Sequence, residues 1–506
     1  NRTHPRLAWP KLPTGWCSWY CFGPGVTPRN VQDNLNAFTA HFPGGVRYIQ
    51  IDDGYQARVG DWLSINSKFP DGMSALSDKI SAEGLIPGLW QAPFIVDPRS
   101  ELIRNHPDWI LRDKAGRQVN AGFVWNRLQT ALDLTVPEAL DYAREVVRTA
   151  ATDWGYPYLK LDFLYAAALK GTYHDPTLTR AQVLRKGLEA LRKAAGPAVT
   201  LLGCGVPLGS ALGVVDLMRI GADVSGDWDP SFNGIKAIIH NEPAFPCARN
   251  SIHNIITRAS MNGKWWGNDP DCLLIRPGTN LSLAEVHTLA ATIAMTGGSV
   301  LLSDDLPGLP DERLRIAEAL LPIIRDPARV IDWFDAPDPS RLRVDLNNAS
   351  GEWHLLAAVN WENKPVDFVL RPGDFQLAED TYLYREFWNG SIGKFSQADA
   401  ARFASVPPHG CILLSARRFE KTRSLYLGSS LHFSQGIEIS DWMDSEEGLA
   451  FSLRLPRVAS GDIYLYLPAG CNRVLVNGED NIFEKVTADL VRVPLQLDGF
   501  ALIRVI

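Results

Sequence analysis

The first 325 residues alternate between two kinds of segment, and this alternation limits the possible folds most strongly. Short apolar runs rich in β-branched residues are each followed by a longer amphipathic stretch. Such alternation is typical of repeated βα units around a parallel sheet. Eight units predict a closed (β/α)8 barrel, or TIM barrel, rather than an open sheet. The candidate strands are residues 15–19, 47–53, 86–91, 158–163, 200–204, 215–223, 265–271 and 299–304.

Helical periodicity lies between these strands and is clearest at residues 137–151 and 179–195, where apolar residues recur three and four positions apart. Such helices would form the outer ring of the barrel. Thr135 followed by Glu138, with Pro137 in the first turn, predicts a helix start with a capping pair.

The helical period stops near residue 326. Short alternating segments follow at residues 353–360, 381–387, 461–467 and 491–497, which predict an all-β region. A charged, turn-like break at residues 417–422 divides this region in two. We therefore predict an α/β chain with a catalytic barrel at 1–325, a C-terminal β-sandwich domain at 326–419 and a second β module at 420–506. Neither β module shows a cluster of titratable residues, so both are predicted to be structural, with carbohydrate binding as the alternative.

Charge and composition exclude several classes of partner. The net charge is −7 and basic residues do not cluster, so nucleic-acid binding is not expected. The longest apolar stretch, residues 289–302, is interrupted and too short to span a membrane. An odd number of cysteines, seven, argues against a secreted disulfide framework and predicts a reducing compartment, the cytoplasm. Cys17 and Cys21 lack a second Cys/His pair at zinc-site spacing, so we expect neither a metal nor another cofactor.

Charged residues interrupt the apolar pattern where four of the predicted strands end. Active sites of TIM barrels lie at the carboxyl ends of the strands, so these positions are the candidates for chemistry. The four ends carry Asp52-Asp53, Lys160-Leu161-Asp162, Arg219 to Asp223, and Asn268-Asp269-Pro270-Asp271.

Strand parity groups these side chains. Alternate residues of a strand share a face, so Lys160 and Asp162 point together into the barrel, as do Arg219 and Asp223. Two carboxylates facing each other across a sugar are the minimum machinery for cleaving a glycosidic bond. Lys160 is expected to keep Asp162 ionised and nucleophilic, and the more isolated Asp223 is the candidate proton carrier. For any single pair, the alternative is an internal ion pair that holds the core.

An ordered set of short motifs accompanies these residues and resembles glycoside hydrolase clan D, especially family 36, the α-galactosidases or melibiases. The resemblance covers roughly the first 310 residues. Its motifs are Gly15-Trp16-Cys17-Ser18-Trp19, Ile51-Asp52-Asp53-Gly54-Tyr55, Gly60-Asp61-Trp62, Lys68-Phe69-Pro70, Gly88-Leu89-Trp90, Leu132-Asp133-Leu134-Thr135, the Lys160 and Arg219 segments, and Ser303-Asp304-Asp305-Leu306.

The resemblance implies hydrolysis of a glycoside or oligosaccharide with retention of configuration, through a covalent glycosyl-enzyme intermediate. Asp162 matches the family's nucleophile and Asp223 its acid/base. The resemblance also implies a set of sugar-binding residues. In this set Asp52 and Asp53 hold two hydroxyls, Lys160 holds another, Arg219 and Cys204 lie by the 2-position, and Trp19 and Trp90 line the pocket.

Three departures from family 36 leave the sugar open. Leu161 and Leu164 stand where the family usually has Trp and Asn, and Ala92-Pro93-Phe94 replaces a Glu-Pro-Glu type sequence. The first strand begins within twenty residues, so we expect the family's usual N-terminal β-sandwich to be absent, which leaves homo-oligomer formation open.

The alternatives within the same chemistry are an α-N-acetylgalactosaminidase, a β-L-arabinopyranosidase and an α-galactosyl transferase. From other classes, the alternatives are an aldolase with a Schiff base on Lys160 and a non-catalytic sugar-binding barrel.

Overall fold

The computed structural model describes residues 12–42, 47–232, 235–236, 244–446 and 448–506. Its first part contains the eight strands that the alternation predicts, all of them parallel. They are β1 (Thr14–Cys17), β2 (Tyr48–Ile51), β3 (Ile86–Gln91), β4 (Tyr158–Leu161), β5 (Thr200–Gly203), β6 (Leu217–Arg219), β7 in two segments (Gly267–Asp269 and Cys272–Leu273) and β8 (Val300–Leu302).

The two segments of β7 close the sheet into a barrel. Gly267–Asp269 pairs with β6, while Cys272–Leu273 pairs with β8. β8 in turn pairs with β1, so the order of neighbours returns to its start. Between the segments, Asp271 has φ of 78°, which turns the chain from one neighbour to the other. The prediction of an α/β TIM barrel is confirmed.

Helices cover the outside of the barrel as predicted. The α-helices are Trp19–Phe22, Pro28–His41, Gly72–Ala82, Glu101–Asn105, Pro137–Arg148, Arg180–Ala195, Ala248–Arg258, Leu283–Thr296 and Asp311–Glu318. A π-helical turn, Thr149–Asp153, extends the helix that begins at Pro137. Short 3-10 turns are Gly23–Gly25, Pro107–Trp109, Leu164–Ala168, Leu208–Ala211, Ala259–Met261, Leu306–Gly308 and Pro372–Phe375.

The predicted capping pair at Thr135 is wrong. The helix does begin at Pro137, but its N-cap is Val136. The Thr135 hydroxyl instead donates to Asp133 Oδ1 at 2.6 Å. The hydroxyl oxygen that a capping threonine would use to accept a helix N–H accepts the backbone N–H of Asp175 instead, at 2.9 Å.

Antiparallel sheets make up the remainder of the chain, which confirms the predicted all-β region. Among the described residues, three two-stranded ribbons lie within the barrel part and one lies in the β region. A six-stranded sheet contains Arg329–Val330, Arg341–Asn348, Gly351–Val359, Tyr382–Glu386, Ile392–Phe395 and Cys411–Arg418, and a ribbon pairs Val366–Leu370 with Ala401–Val406. A second sheet contains Leu425–Ser429, Ile439–Ser445, Gly448–Tyr466, Val474–Val476, Glu479–Asn481, Glu484–Lys485 and Leu490–Val505. The ribbon strands of the barrel part are Ile95–Val96, Phe123–Val124, Arg127–Leu128, Thr130–Ala131, Ser231–Phe232 and Ile235–Lys236.

One continuous hydrophobic core joins the barrel to the six-stranded sheet. The helix Leu283–Thr296 is buried along most of its length, and the core cluster extends from it to Leu342, Trp353 and Leu413. The division into domains at 1–325, 326–419 and 420–506 stays a prediction. Among the described residues, none of the helices has the length and apolar character needed to cross a bilayer.

Aromatic stacking ties a barrel loop to the six-stranded sheet. Trp228, in the loop after β6, stacks on the His409 ring with the centroids 4.1 Å apart and the planes at 6°. His409 Nδ1 lies 2.6 Å from Glu285 Oε1 of the long buried helix, and His409 Nε2 lies 2.8 Å from Asn363 Oδ1. Barrel loop, barrel helix and sheet therefore meet at one imidazole ring.

The second sheet contacts the barrel through residues 431–457. His432 Nε2 lies 2.7 Å from the Pro322 carbonyl oxygen, and Arg457 Nε donates to the Leu321 carbonyl at 3.3 Å. Phe433 is fully buried and stacks on Phe387 of the first β region, with centroids 4.6 Å apart.

Replacing Phe433 by Ala tests this junction. The change leaves a cavity where three parts of the chain meet, so we expect a loss of about 3–5 kcal/mol in the free energy of unfolding. Thermal denaturation measures the loss. Phe334→Ala is the control, because that ring is 93% exposed and its removal should change stability by less than about 0.5 kcal/mol. Equal melting temperatures for the two variants would contradict the assigned role of Phe433.

Candidate active site

The carboxyl ends of the parallel strands bring the predicted polar residues to one end of the barrel. Asp52 and Asp53 follow β2, Asp162 follows β4, and Asp223 lies four residues beyond the end of β6. Lys160 and Arg219 lie within their strands and are buried. Three direct contacts link six of the nine predicted side chains in pairs: Lys160 with Asp52, Trp90 with Asp162, and Arg219 with Asp223.

Lys160 has a different partner from the one predicted. Its ammonium group lies 3.0 Å from Asp52 Oδ2, across the barrel from β4 to β2, and both side chains are almost completely buried. Burial alone would lower the pKa of Lys160, but Asp52 and, after it, Cys204 and Cys17 together raise the pKa well above the usual range. Gln50 Nε2 also donates to Asp52 Oδ2, at 2.8 Å. The pair is thus a fixed cation and anion in the pocket floor.

Asp162 is held by two N–H donors. Trp90 Nε1 donates to Asp162 Oδ2 at 3.1 Å, and the backbone N–H of Phe163 donates to Oδ1 at 2.6 Å. The loop after β5 passes close by, since a Cβ placed on Gly205 would lie 3.1 Å from Asp162 Oδ1. Gly205 has φ of 56°, so both its conformation and this close approach favour glycine. The Asp162 carboxylate is partly exposed and fixed in orientation.

Asp53 is bound to a hairpin that the predicted site did not include. Trp125 Nε1 donates to Asp53 Oδ2 at 2.6 Å, and Gln56 Nε2 donates to Oδ1 at 2.5 Å. Burial raises the pKa of Asp53, while these two hydrogen bonds oppose the rise. Trp125 also packs against Trp90, with centroids 6.3 Å apart. In the sequence, its place in the long segment between the third and fourth strands was the signal for such a contact.

The Arg219 guanidinium joins three carboxylates. Its Nη1 lies 2.7 Å from Asp223 Oδ1, its Nε 2.9 Å from Asp269 Oδ2 and its Nη2 2.8 Å from Asp271 Oδ1. Burial disfavours the charged guanidinium, yet Asp269 and Asp271 raise the pKa of Arg219 well above its usual range. The hydroxyl of Tyr20 donates to Asp271 Oδ2. Asp269 and Asp271 belong to the motif at the end of the seventh strand. The sequence predicted polar residues there but not their pairing with Arg219.

Asp223 lies at the mouth of the barrel, with its side chain 47% exposed. The low-dielectric surroundings and, next, the nearby Asp271 charge raise the pKa of Asp223 to about 6, although Arg219 opposes them. Asp162 and Lys160 also act on the pKa of Asp223, so all of these charges face one space. A carboxylic acid with this pKa is half protonated at about pH 6.

Cys204 and Trp19 complete the predicted set. Cys204 follows β5 and is buried, and the charges of Asp162, Arg219, Lys160 and Asp223 all act on its thiol, which places it among them. Burial raises the pKa of the Cys204 thiol well above its usual range, so the thiol is neutral. Trp19 is partly buried and follows β1, next to Tyr20.

Within the described ranges, no group of three or more His, Cys, Asp or Glu side chains is placed to hold a metal ion. The seven cysteines all lie in these ranges, and all are free thiols.

Comparison with known proteins adds independent information. A family model described as Melibiase matches residues 33–182. The α-galactosidase of Escherichia coli is 35% identical over 105 residues, which cover 19% of this chain and 14% of that protein. The matched segment therefore spans about one seventh of the length of that curated relative.

Solved structures match over more of the chain. TtGalA, an α-galactosidase from Thermus thermophilus solved with stachyose, is 37% identical, with 64% of this chain and 67% of that chain covered and a TM-score of 0.56. A GH27 β-L-arabinopyranosidase from Geobacillus stearothermophilus matches 81% of this chain and 98% of that chain, with a TM-score of 0.61. At 17% identity, this second likeness shows the fold alone.

The barrel and its carboxylate-lined mouth place the chain in the class of TIM-barrel proteins with a polar pocket at the strand ends. Its identity of 37% over two thirds of TtGalA goes further. The protein belongs to the melibiase family.

Replacing Lys160 by Met tests the buried pair. The change leaves the Asp52 charge buried without its cation, so we expect a loss of about 3–5 kcal/mol in the free energy of unfolding, measured by denaturant titration. Adding Asp52→Asn to Lys160→Met should recover part of that loss, because no unpaired charge then stays in the core. Additive losses in the double variant would contradict a direct pairing.

Proposed function

We propose that this protein is a retaining glycoside hydrolase that cleaves terminal α-galactosides through a covalent glycosyl-enzyme intermediate. The observation that carries the proposal is the contrast between two carboxylates at one barrel mouth. Asp162 accepts hydrogen bonds from two N–H groups, whereas Asp223 has its pKa raised to about 6. A nucleophile and a proton carrier need such different environments.

The first step is attack by Asp162 on the anomeric carbon. The Trp90 and Phe163 N–H groups fix the direction of the attacking oxygen. As the bond to the leaving group breaks, Asp223 gives its proton to the departing oxygen. In the second step, the ionised Asp223 takes a proton from water, and that water displaces Asp162 from the sugar with overall retention of configuration.

The other polar residues recognise the sugar in this proposal. Asp52 and Asp53 accept hydrogen bonds from two hydroxyls, Lys160 donates to another, and Arg219 with Cys204 lies at the 2-position. Trp19 and Trp90 supply apolar faces for the ring. A site that pairs each hydroxyl discriminates strongly, because a lost partner leaves a buried polar group unsatisfied, at a cost of about 1–3 kcal/mol.

Galactose is the sugar that the relatives support best. TtGalA has been solved with p-nitrophenyl α-D-galactopyranoside as well as with stachyose. The departures at Leu161 and Leu164 do not oppose this choice, because both side chains are 1% exposed or less and pack in the hydrophobic core. The ordered motifs support family 36 within the clan.

The rival classes fit the site less well. A Schiff base requires a neutral amine, whereas Lys160 is paired with Asp52 and has a raised pKa. A protein that merely binds sugar has no need for a carboxylic acid that titrates near pH 6.

The seven free thiols support the cytoplasm as the compartment of this protein.

Replacing Asp162 by Asn tests the reaction. An amide cannot form the glycosyl ester, so turnover of p-nitrophenyl α-galactoside should fall at least about a thousandfold. Asp141→Asn, a change on an exposed helix face, is the control and should keep full activity. Near-normal turnover by the Asp162 variant would show that the nucleophile is a different residue, and a wild-type protein inactive on every aryl glycoside would refute the reaction itself.

The pH profile tests the acid. The pKa of Asp223 is raised from its ordinary value to about 6, so its proton is present below that pH and is lost above it. Because the first step needs the proton, kcat/KM should fall about tenfold per pH unit on the alkaline side of pH 6. Asp223→Asn should remove this limb. Were the limb to persist unchanged in the variant, another group would be the acid.

A further inference from the structure

Asp271 is buried in a conformation that needs a reason. Its side chain has no solvent exposure, and its φ of 78° lies in the left-handed region that is unfavourable for a residue with a Cβ. A buried carboxylate in strained backbone persists only when its surroundings hold it there. What this residue contacts therefore indicates what the bend in β7 is for.

Asp271 is linked to Asp223 indirectly, through two neighbouring groups. Its Oδ2 accepts the backbone N–H of Val224 at 2.8 Å, and Val224 directly follows Asp223. Its Oδ1 lies 2.8 Å from Arg219 Nη2, and Arg219 Nη1 lies 2.7 Å from Asp223 Oδ1. The first contact fixes the backbone at Asp223, and the second fixes the guanidinium that orients its carboxylate.

We propose that Asp271 is a positioning residue for Asp223, acting through Arg219 and through the backbone of Val224. Tyr20, whose hydroxyl donates to Asp271 Oδ2, holds this carboxylate in place. The inference rests on the proposed function, since it presumes that Asp223 carries the proton.

The charges around Asp223 give the proposal a direction. The negative charges of Asp271 and Asp162 favour the protonated form of Asp223. The positive charges of Arg219 and Lys160 favour its ionised form. Removing the Asp271 charge also leaves Arg219 with fewer anions to share. Both effects move the pKa of Asp223 downward, so the variant should lose its proton at lower pH.

Asp269 differs from Asp271 although both pair with Arg219. Asp269 Oδ2 accepts from Arg219 Nε at 2.9 Å, while its Oδ1 accepts from the Ser299 hydroxyl and from the Asp271 N–H, both at 3.1 Å. Through Asp269, Arg219 is therefore connected to the residue before β8 and to the bend in β7. Of these two aspartates, Asp271 is the one that contacts both Arg219 and the backbone N–H of Val224.

The experiment compares Asp271→Asn with wild type on two substrates. An alkyl α-galactoside needs protonation of its leaving oxygen, whereas α-galactosyl fluoride releases fluoride with little help from an acid. We expect kcat/KM to fall about tenfold to a hundredfold on the alkyl galactoside, a part of the effect of a general acid, and less than about threefold on the fluoride. The alkaline limb of the alkyl-galactoside profile should move to lower pH.

A matched control lies at the opposite end of β6. Asp216 is also a largely buried aspartate that pairs with an arginine, Arg192, and accepts a backbone N–H, from Leu201 at 2.8 Å. Asp216→Asn should lower the melting temperature without any preference between the two substrates. If Asp271→Asn fails to fold, Tyr20→Phe keeps the test, with the same substrate preference expected at a smaller size.

A second comparison places Asp271 on the same pathway as Asp223. In the Asp223→Ala background, adding Asp271→Asn should cost nothing further on either substrate. A further loss equal to that in wild type, or equal losses on both substrates, would overturn the positioning role. Either result would leave the proposed function intact, because that function fails instead if Asp162→Asn and Asp223→Ala keep wild-type activity.

Discussion

The closure of the barrel depends on strand β7 changing its neighbour within a few residues. Gly267–Asp269 pairs with β6 and Cys272–Leu273 with β8, with the turn at Asp271 between them. Without this change, the sheet would have two free edges, and the strand ends would not form a ring. The same bend brings Asp269 and Asp271 against Arg219 of the neighbouring strand. Closing the sheet and assembling the charged mouth are therefore one structural event.

Two buried cations organise the mouth. Lys160 pairs with Asp52 of another strand end, and Arg219 pairs with three carboxylates. Each cation therefore joins elements that are far apart in sequence. At Asp223, the surrounding protein first and the nearby Asp271 charge next favour the protonated form, while both cations oppose it. The pKa of Asp223 thus depends on its surroundings together with the charges of the mouth.

The sequence was sufficient for the barrel, because each of its strands leaves a local apolar pattern and its helices leave a period of 3.6. Parity also placed Lys160 and Asp162 on one face. Parity along a strand says nothing about the neighbouring strand, however, and the long Lys160 side chain reaches Asp52 instead. The roles of Asp271 and Trp125 were beyond prediction for a similar reason, since both depend on which residues face them after the barrel closes.

Through the stack of Trp228 on His409, the β region contacts a loop at the mouth of the barrel. Trp228 lies five residues after Asp223, and the face of its indole is covered by an imidazole that comes from nearly 200 residues further along the chain. The position of the Trp228 ring is therefore set jointly by the barrel and by the β region. Trp228, Glu285 and His409 form one connected group. A chimera that joins this barrel to the C-terminal region of another protein would therefore have to keep all three residues.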